Sequence, residues 1–266
     1  MKMRKAFTLI ELLVVIAIIA VLMAILMPAL RKVKENARRI ACAANLSSLA
    51  KGMRVYAAEY DTALPPCTFN GENGPHQSYN AYTVNVSAPF GEHITEGPFN
   101  LAHLYETGIV KAGDVFYCPS AYRNAENTQS DTSVSWRLDR YIDDVGRWPW
   151  NNAYDTSHNT HLVRTVFFYT PLHARKKTDA GLPAIARKLS NVKAGSVVMI
   201  DCFQFVESCP HRRGPAAGIN ALYADGSVAF RRIPEGAMAD DAQDYQAGSR
   251  HLNNPEVYIQ LVESLY

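Results

Sequence analysis

Hydrophobic and polar positions divide the chain into three unlike stretches. Nineteen successive residues from Leu12 to Leu30 carry no charge and are rich in Leu, Ile, Val, Ala and Met. As a helix, that run covers roughly 28 Å, close to the hydrocarbon thickness of a bilayer. Beyond Pro28 the pattern becomes one-sided. Cys42, Leu46, Leu49, Met53, Tyr56 and Tyr60 recur at steps of four and three, while Arg38, Lys51, Arg54 and Glu59 lie off that stripe. The pattern predicts a single helix from about Phe7 to Tyr60, on the order of 80 Å long. Its first half is apolar all round and its second half offers one stripe to a folded head. Asp61 and Pro65-Pro66 end it.

The third stretch, residues 67–266, reads as strands with little helix. Strands are expected at Tyr79–Val86, Val115–Tyr117, Ser133–Leu138, Leu162–Tyr169 and Val197–Ile200. Asn220–Ala224 and Val228–Arg232 flank Asp225-Gly226-Ser227 and form the clearest hairpin. Short helices are expected at Leu101–Val110 and, after Pro255, at Glu256–Leu265, and Arg140–Asn159 reads as a long polar and aromatic loop. No internal repeat or low-complexity tract interrupts the pattern. The fold class expected is α+β, a long N-terminal helix packed on a mainly antiparallel sheet.

One residue breaks the apolar run near its start. Glu11 is a carboxylate at membrane depth, which costs a few kcal/mol without a partner. Lys2, Arg4 and Lys5 precede it. The run exceeds the 7–15 residues of an ordinary signal-peptide core. Cys42 lies behind Arg31, Lys32, Lys34, Arg38 and Arg39, out of place for a lipoprotein. The string Lys5-Ala6-Phe7-Thr8-Leu9-Ile10-Glu11 and the apolar run after it resemble the processing signal of type IV prepilins and type II secretion pseudopilins.

That resemblance implies cleavage between Ala6 and Phe7 by prepilin peptidase on the cytoplasmic side, with methylation of the new Phe7 amine. It makes Glu11 the assembly residue, pairing with the Phe7 amine of a neighbouring subunit, and Pro28 a helix-kinking proline. Ala6 departs from the usual Gly. The implied parts are a leader (1–6), a transmembrane and assembly helix (7–30), an amphipathic stem with its stop (31–66) and a β-rich head (67–266). The implied partners are the peptidase, identical or related pilin subunits, an assembly platform and the membrane. The chain would sit in the inner membrane with its head outside the cytoplasm, then in a periplasmic or cell-surface filament. The five cations after the run outnumber the three before it, which by charge counting alone would invert that topology. The ordered, many-residue motif outweighs that count.

Composition changes this picture only slightly. The 266 residues are 48% hydrophobic and 20% charged, which excludes a disordered chain and a polytopic membrane protein. A net charge of +2 is too balanced for bulk electrostatic binding of nucleic acid, and none is expected as a partner. Removing Lys2, Arg4 and Lys5 with the leader leaves 24 cations against 25 acids. The mean hydropathy of −0.14 therefore averages a membrane-seeking helix with a polar head.

Candidate chemistry in the head is sparse. Five cysteines are present: Cys42, Cys67, Cys118, Cys202 and Cys209. In an oxidising compartment Cys202 and Cys209 would be a local disulfide pair, and Cys42 could pair with Cys118 or Cys67 to tie stem to head. No Cys-x-x-Cys occurs, which argues against a structural zinc site and a thioredoxin-like centre. His158, His161 and His173 lack a companion carboxylate motif and read as surface residues. Asp201, His211 and Asp225 are expected near one sheet edge. Trp148-Pro149-Trp150, with Tyr141 and Tyr154, either fills a small core or forms an exposed stacking surface.

The strings Ala43-Ala44-Asn45-Leu46, Tyr117-Cys118-Pro119-Ser120, Met199-Ile200-Asp201 and Ala224-Asp225-Gly226-Ser227-Val228 resemble large pilin-like proteins of planctomycetes and their relatives. Those often end in a His followed nine residues later by Asp-Gly, whereas here thirteen residues separate His211 from Asp225. The pseudopilin resemblance brings calcium into view, but no run of alternating acids supports it, and Asp225-Gly226 is accounted for as a turn. No catalytic residue, cofactor or resident metal is expected, since no nucleophile elbow, phosphate loop or paired-acid motif is present. The functions expected are a structural filament subunit or, alternatively, a minor tip pilin binding sugar, protein or a surface. An enzyme is not expected.

Overall fold

The computed structural model describes residues 9–67, 80–84, 98–120, 148–149, 161–177, 181, 183–201, 211, 218–233 and 255–265. Two compact units partition the chain, residues 1–38 and residues 39–266.

In the first unit the described residues belong to α1, a helix running Leu9–Glu59. The helix continues through Pro28, which has no N–H to give the Ala24 carbonyl. Its large apolar side chains, from Leu9 to Val33, are all exposed within the chain. Full burial of one such side chain is worth roughly 1.5–3 kcal/mol, so seventeen of them leave an unmet term on the order of tens of kcal/mol. By length and composition this helix is apolar enough to cross a membrane.

The second unit begins at Arg39, inside α1. Here the predicted stripe goes inward. Cys42, Leu46, Leu49, Met53 and Tyr56 are buried, joined by Ala50, Gly52 and Ala57. Tyr60, placed on the stripe by its spacing, is instead 44% exposed and stacks on Tyr56 with ring centroids 4.3 Å apart. The helix ends one residue before it, and Asp61 and Thr62 adopt positive φ of 48° and 62° as the chain turns away.

Facing this half of α1 is a four-stranded antiparallel sheet, ordered β3-β6-β7-β8. Its strands are β3 (Phe168–Tyr169), β6 (Val197–Ile200), β7 (Gly218–Tyr223) and β8 (Val228–Arg232). β6 is a continuous apolar run and every residue of it is buried. β7 and β8 form the expected hairpin, with Gly226 at φ 89° in the turn and Ala221 opposite Ala229. Arg231 and Arg232 are exposed on the outer strand, where charge discourages edge pairing. Two smaller antiparallel pairs complete the strands: β1 (Asn80–Val84) with β2 (His161–Arg164), and β4 (Leu172–Lys177) with β5 (Pro183–Ile185). Helices α2 (Ala102–Glu106) and α3 (Pro255–Ser264) contribute Leu104, Leu261 and Val262 to the core.

Three expectations need correction. Val115–Tyr117 is not a strand: Gly113–Phe116 forms a 3-10 turn. The stretch Leu162–Tyr169 is two strands, because the Val166 N–H turns to the Phe116 carbonyl instead of a ladder. The helix expected over Leu101–Val110 is confined to Ala102–Glu106. Ser133–Leu138 lies outside the described residues.

Candidate functional site

Four separate places along the chain deliver polar side chains to one buried point in the second unit. α1 brings Cys42 on its inward stripe. The 3-10 turn at Gly113–Phe116 leads through extended Tyr117 to Cys118, two residues on. Asp201 follows the last residue of β6, where its N–H bonds the Asn220 carbonyl of β7 (3.2 Å). His211 completes the group. One ligand-capable atom from each of these four residues lies within 4.8 Å of every other, and all four residues are buried.

The contacts centre on two atoms. Asp201 Oδ2 lies 2.8 Å from the Cys42 thiol, which donates to it, 3.0 Å from His211 Nε2 and 2.7 Å from Asn220 Nδ2. His211 Nε2 also lies 3.5 Å from Cys118 Sγ and 3.0 Å from Asn220 Nδ2. The other carboxylate oxygen, Oδ1, accepts the Asn220 backbone N–H at 2.5 Å. Asn220 thus holds both carboxylate oxygens, and its side-chain amide reaches the Arg39 carbonyl on α1 at 3.4 Å. The Arg39 guanidinium stacks 4.3 Å over Phe230, whose ring meets His211 edge-on at 6.1 Å.

Burial pushes the Cys42 thiol up, and the neighbouring Cys118 and Asp201 push it further. Burial pushes the Cys118 thiol up as well. Hydrogen bonds from Cys42 and His211, with the imidazole's charge, outweigh that and hold it below its ordinary value. Cys42 and Cys118, expected as a possible disulfide, stand here as two thiols.

The other sequence candidates are dispersed. Asp225, expected beside Asp201 and His211, is exposed in the hairpin turn. Its carboxylate accepts the Ser227 N–H (2.8 Å) and hydroxyl (2.6 Å), and these bonds hold it below the usual range. Its carbonyl accepts from Arg54 of α1. His173 Nδ1 accepts the backbone N–H groups of Arg175 (3.0 Å) and Lys176 (3.1 Å). Cys67 donates to the Tyr169 carbonyl at 3.0 Å. Trp148 takes the core role: it is 1% exposed, stacks on Phe116 at 4.9 Å, meets Tyr105 edge-on and donates to the Tyr117 hydroxyl. Cys202, Cys209, His158, Trp150, Tyr141 and Tyr154 lie outside the described residues.

Asn220 is the residue that sequence reading missed. It reads as one polar residue at the start of a strand, and only the register beside Asp201 gives it a role.

In the first unit, Glu11 lies exposed in the first turn of α1 and Pro28 inside the helix. Ala6 and Phe7 lie outside the described residues. The prokaryotic N-terminal methylation motif matches residues 1–27. No curated protein matches the chain, and no solved structure does.

Proposed function

With a prokaryotic N-terminal methylation motif on a long apolar helix, the chain is type IV pilin-like, and we propose that it is a structural subunit of a pilus or secretion pseudopilus. The motif implies processing by prepilin peptidase; the filament role is our reading. One observation carries it: residues 9–30 form an apolar helix with no buried face in its own chain, headed by a single acid. Such a surface needs lipid before assembly and neighbouring helices after it.

Cleavage after Ala6 leaves a Phe7 ammonium at the membrane edge. A Glu11 carboxylate from an incoming subunit meets that ammonium, each charge offsets the desolvation of the other, and the pair sets axial register. In this reading the work of extraction from lipid belongs to a separate motor.

Mass spectrometry of the mature N-terminus tests the processing step, and the expected result is a chain beginning with methylated Phe7. An intact Met1 or a cut elsewhere would overturn the reading. Glu11→Ala tests the pairing. It is expected to leave membrane insertion and cleavage intact while depleting the variant from sheared filaments when wild-type subunits are present. Normal incorporation would sink the charge-pair account.

A further inference from the structure

The buried cluster in the second unit has more convergence than hydrogen bonding can use. His211 Nε2 carries either one proton or one lone pair, yet a carboxylate oxygen, a thiol sulfur and an amide nitrogen all lie within 3.5 Å of it. Asp201 Oδ2 likewise draws three neighbours within 3.0 Å. Two thiols, an imidazole nitrogen and a carboxylate oxygen directed at one buried point form a donor set of mixed softness. We propose that Cys42, Cys118, Asp201 and His211 bind one zinc ion, a structural site that fastens the stem half of α1 to the sheet.

Ligand number and type fit a closed tetrahedral site. Four protein ligands with no open position are the mark of a structural zinc, and thiolate with imidazole favours zinc over calcium or magnesium, which take oxygen. Size fits as well. Zinc bound at about 2.3 Å to sulfur and about 2.0–2.2 Å to nitrogen or oxygen has ligand-to-ligand edges of roughly 3.3–3.8 Å. The Cys118–His211 edge, 3.5 Å, falls in that range, while the His211–Asp201 edge, 3.0 Å, has hydrogen-bond length and opens by a few tenths of an ångström on binding. The Cys42–Asp201 edge is 2.8 Å because a thiol proton now lies along it. That proton leaves on binding, and the edge lengthens.

The step balances simply. Zinc enters as a dication, the two thiols lose one proton each to solvent, His211 presents the bare lone pair of Nε2 with any proton there passing to Nδ1 or to solvent, and four coordinate bonds form without change of oxidation state. Two thiolates and a carboxylate leave the site with one net negative charge. Asn220 donates two hydrogen bonds to the carboxylate, and Arg39 stands behind Phe230. Asn220 is thus a positioning residue that holds Asp201 without touching the ion.

The full chain purified in detergent, loaded with zinc and dialysed, provides the test. One equivalent of zinc by elemental analysis is expected. X-ray absorption at the zinc edge is expected to show two sulfur neighbours at about 2.3 Å and two lighter ones at about 2.0–2.2 Å. Cys118→Ser and His211→Gln are each expected to abolish stoichiometric binding. Cys67→Ser is expected to keep it, and Asn220→Ala to weaken zinc affinity about 10–100-fold without changing the stoichiometry. The absorption measurement needs only the wild-type chain, so a variant that fails to fold leaves the proposal decidable. Three results would overturn it: no retained zinc, a zinc shell without two sulfurs, or a Cys42–Cys118 disulfide in protein from the native membrane.

Discussion

At the scale of single residues, two glycines show how closely side chains are seated around the site. A Cβ on Gly218 would run into the Phe230 ring, and one on Gly113 into Trp148. In both cases the obstacle is a large aromatic body. Phe230 lies between Arg39 and His211, so it has little room to withdraw. Gly218→Ala is therefore expected to destabilise the second unit by about 1–3 kcal/mol, read as a fall in the urea midpoint of the full chain in detergent. An unchanged midpoint would mean the ring moves freely. Such close approaches are invisible in a sequence, because the aromatic ring each glycine meets is far from it along the chain or known only from the fold.

Among elements, legibility followed the strength of the local pattern. β6 was readable because Val197–Ile200 is a short unbroken apolar run, and the β7–β8 hairpin because Asp225-Gly226 stands between apolar flanks. β4 was not, because the alternation of Leu172-His173-Ala174-Arg175 is short and lapses at Lys176-Lys177. Its partner β5 begins with Pro183, a residue that usually argues against a strand and is tolerated at its first position. Val115–Tyr117 has the composition of a strand, but the backbone turns at Gly113 and places Phe116 under Trp148. The stripe of α1 supplies its own test. Leu49 is fully buried and Val33 is 63% exposed on the same helix. Leu49→Ala should cost about 2–5 kcal/mol in the unfolding of the second unit, and Val33→Ala no more than about 0.5. Equal effects in thermal or urea unfolding would contradict the inward placement of the stripe.

For the whole molecule, what was readable differs between its parts. The processing motif is contiguous, so order and spacing along the chain carry it. The buried cluster is not: Cys42 and Asp201 are 159 residues apart, and Cys118 and His211 are 93 apart. Reading for short ligand spacings finds zinc sites built on one turn and argues against one here. The fragments were visible separately, Cys42 with Cys118 as a thiol pair and Asp201 with His211 at a sheet edge. Joining them required knowing that α1 crosses the end of β6. Asp225 was drawn into the same group by chain order and then lost to its own turn.

α1 belongs to both units, apolar all round in the first and one-sided in the second, along one uninterrupted backbone. A comprehensive substitution scan along it should read as a step rather than a gradient. From Leu12 to Leu30 any charge should be rejected at every position, at about 2.5–3.5 kcal/mol each near the middle, with small and large apolar residues exchanging freely. From Cys42 to Ala57 tolerance should oscillate with the helical period: charge accepted at Lys51 and Arg54, and even a lost methylene felt at Leu46 and Leu49. The crossover is expected near Arg38 and Arg39, where evolutionary freedom changes from a rule about polarity to a rule about shape.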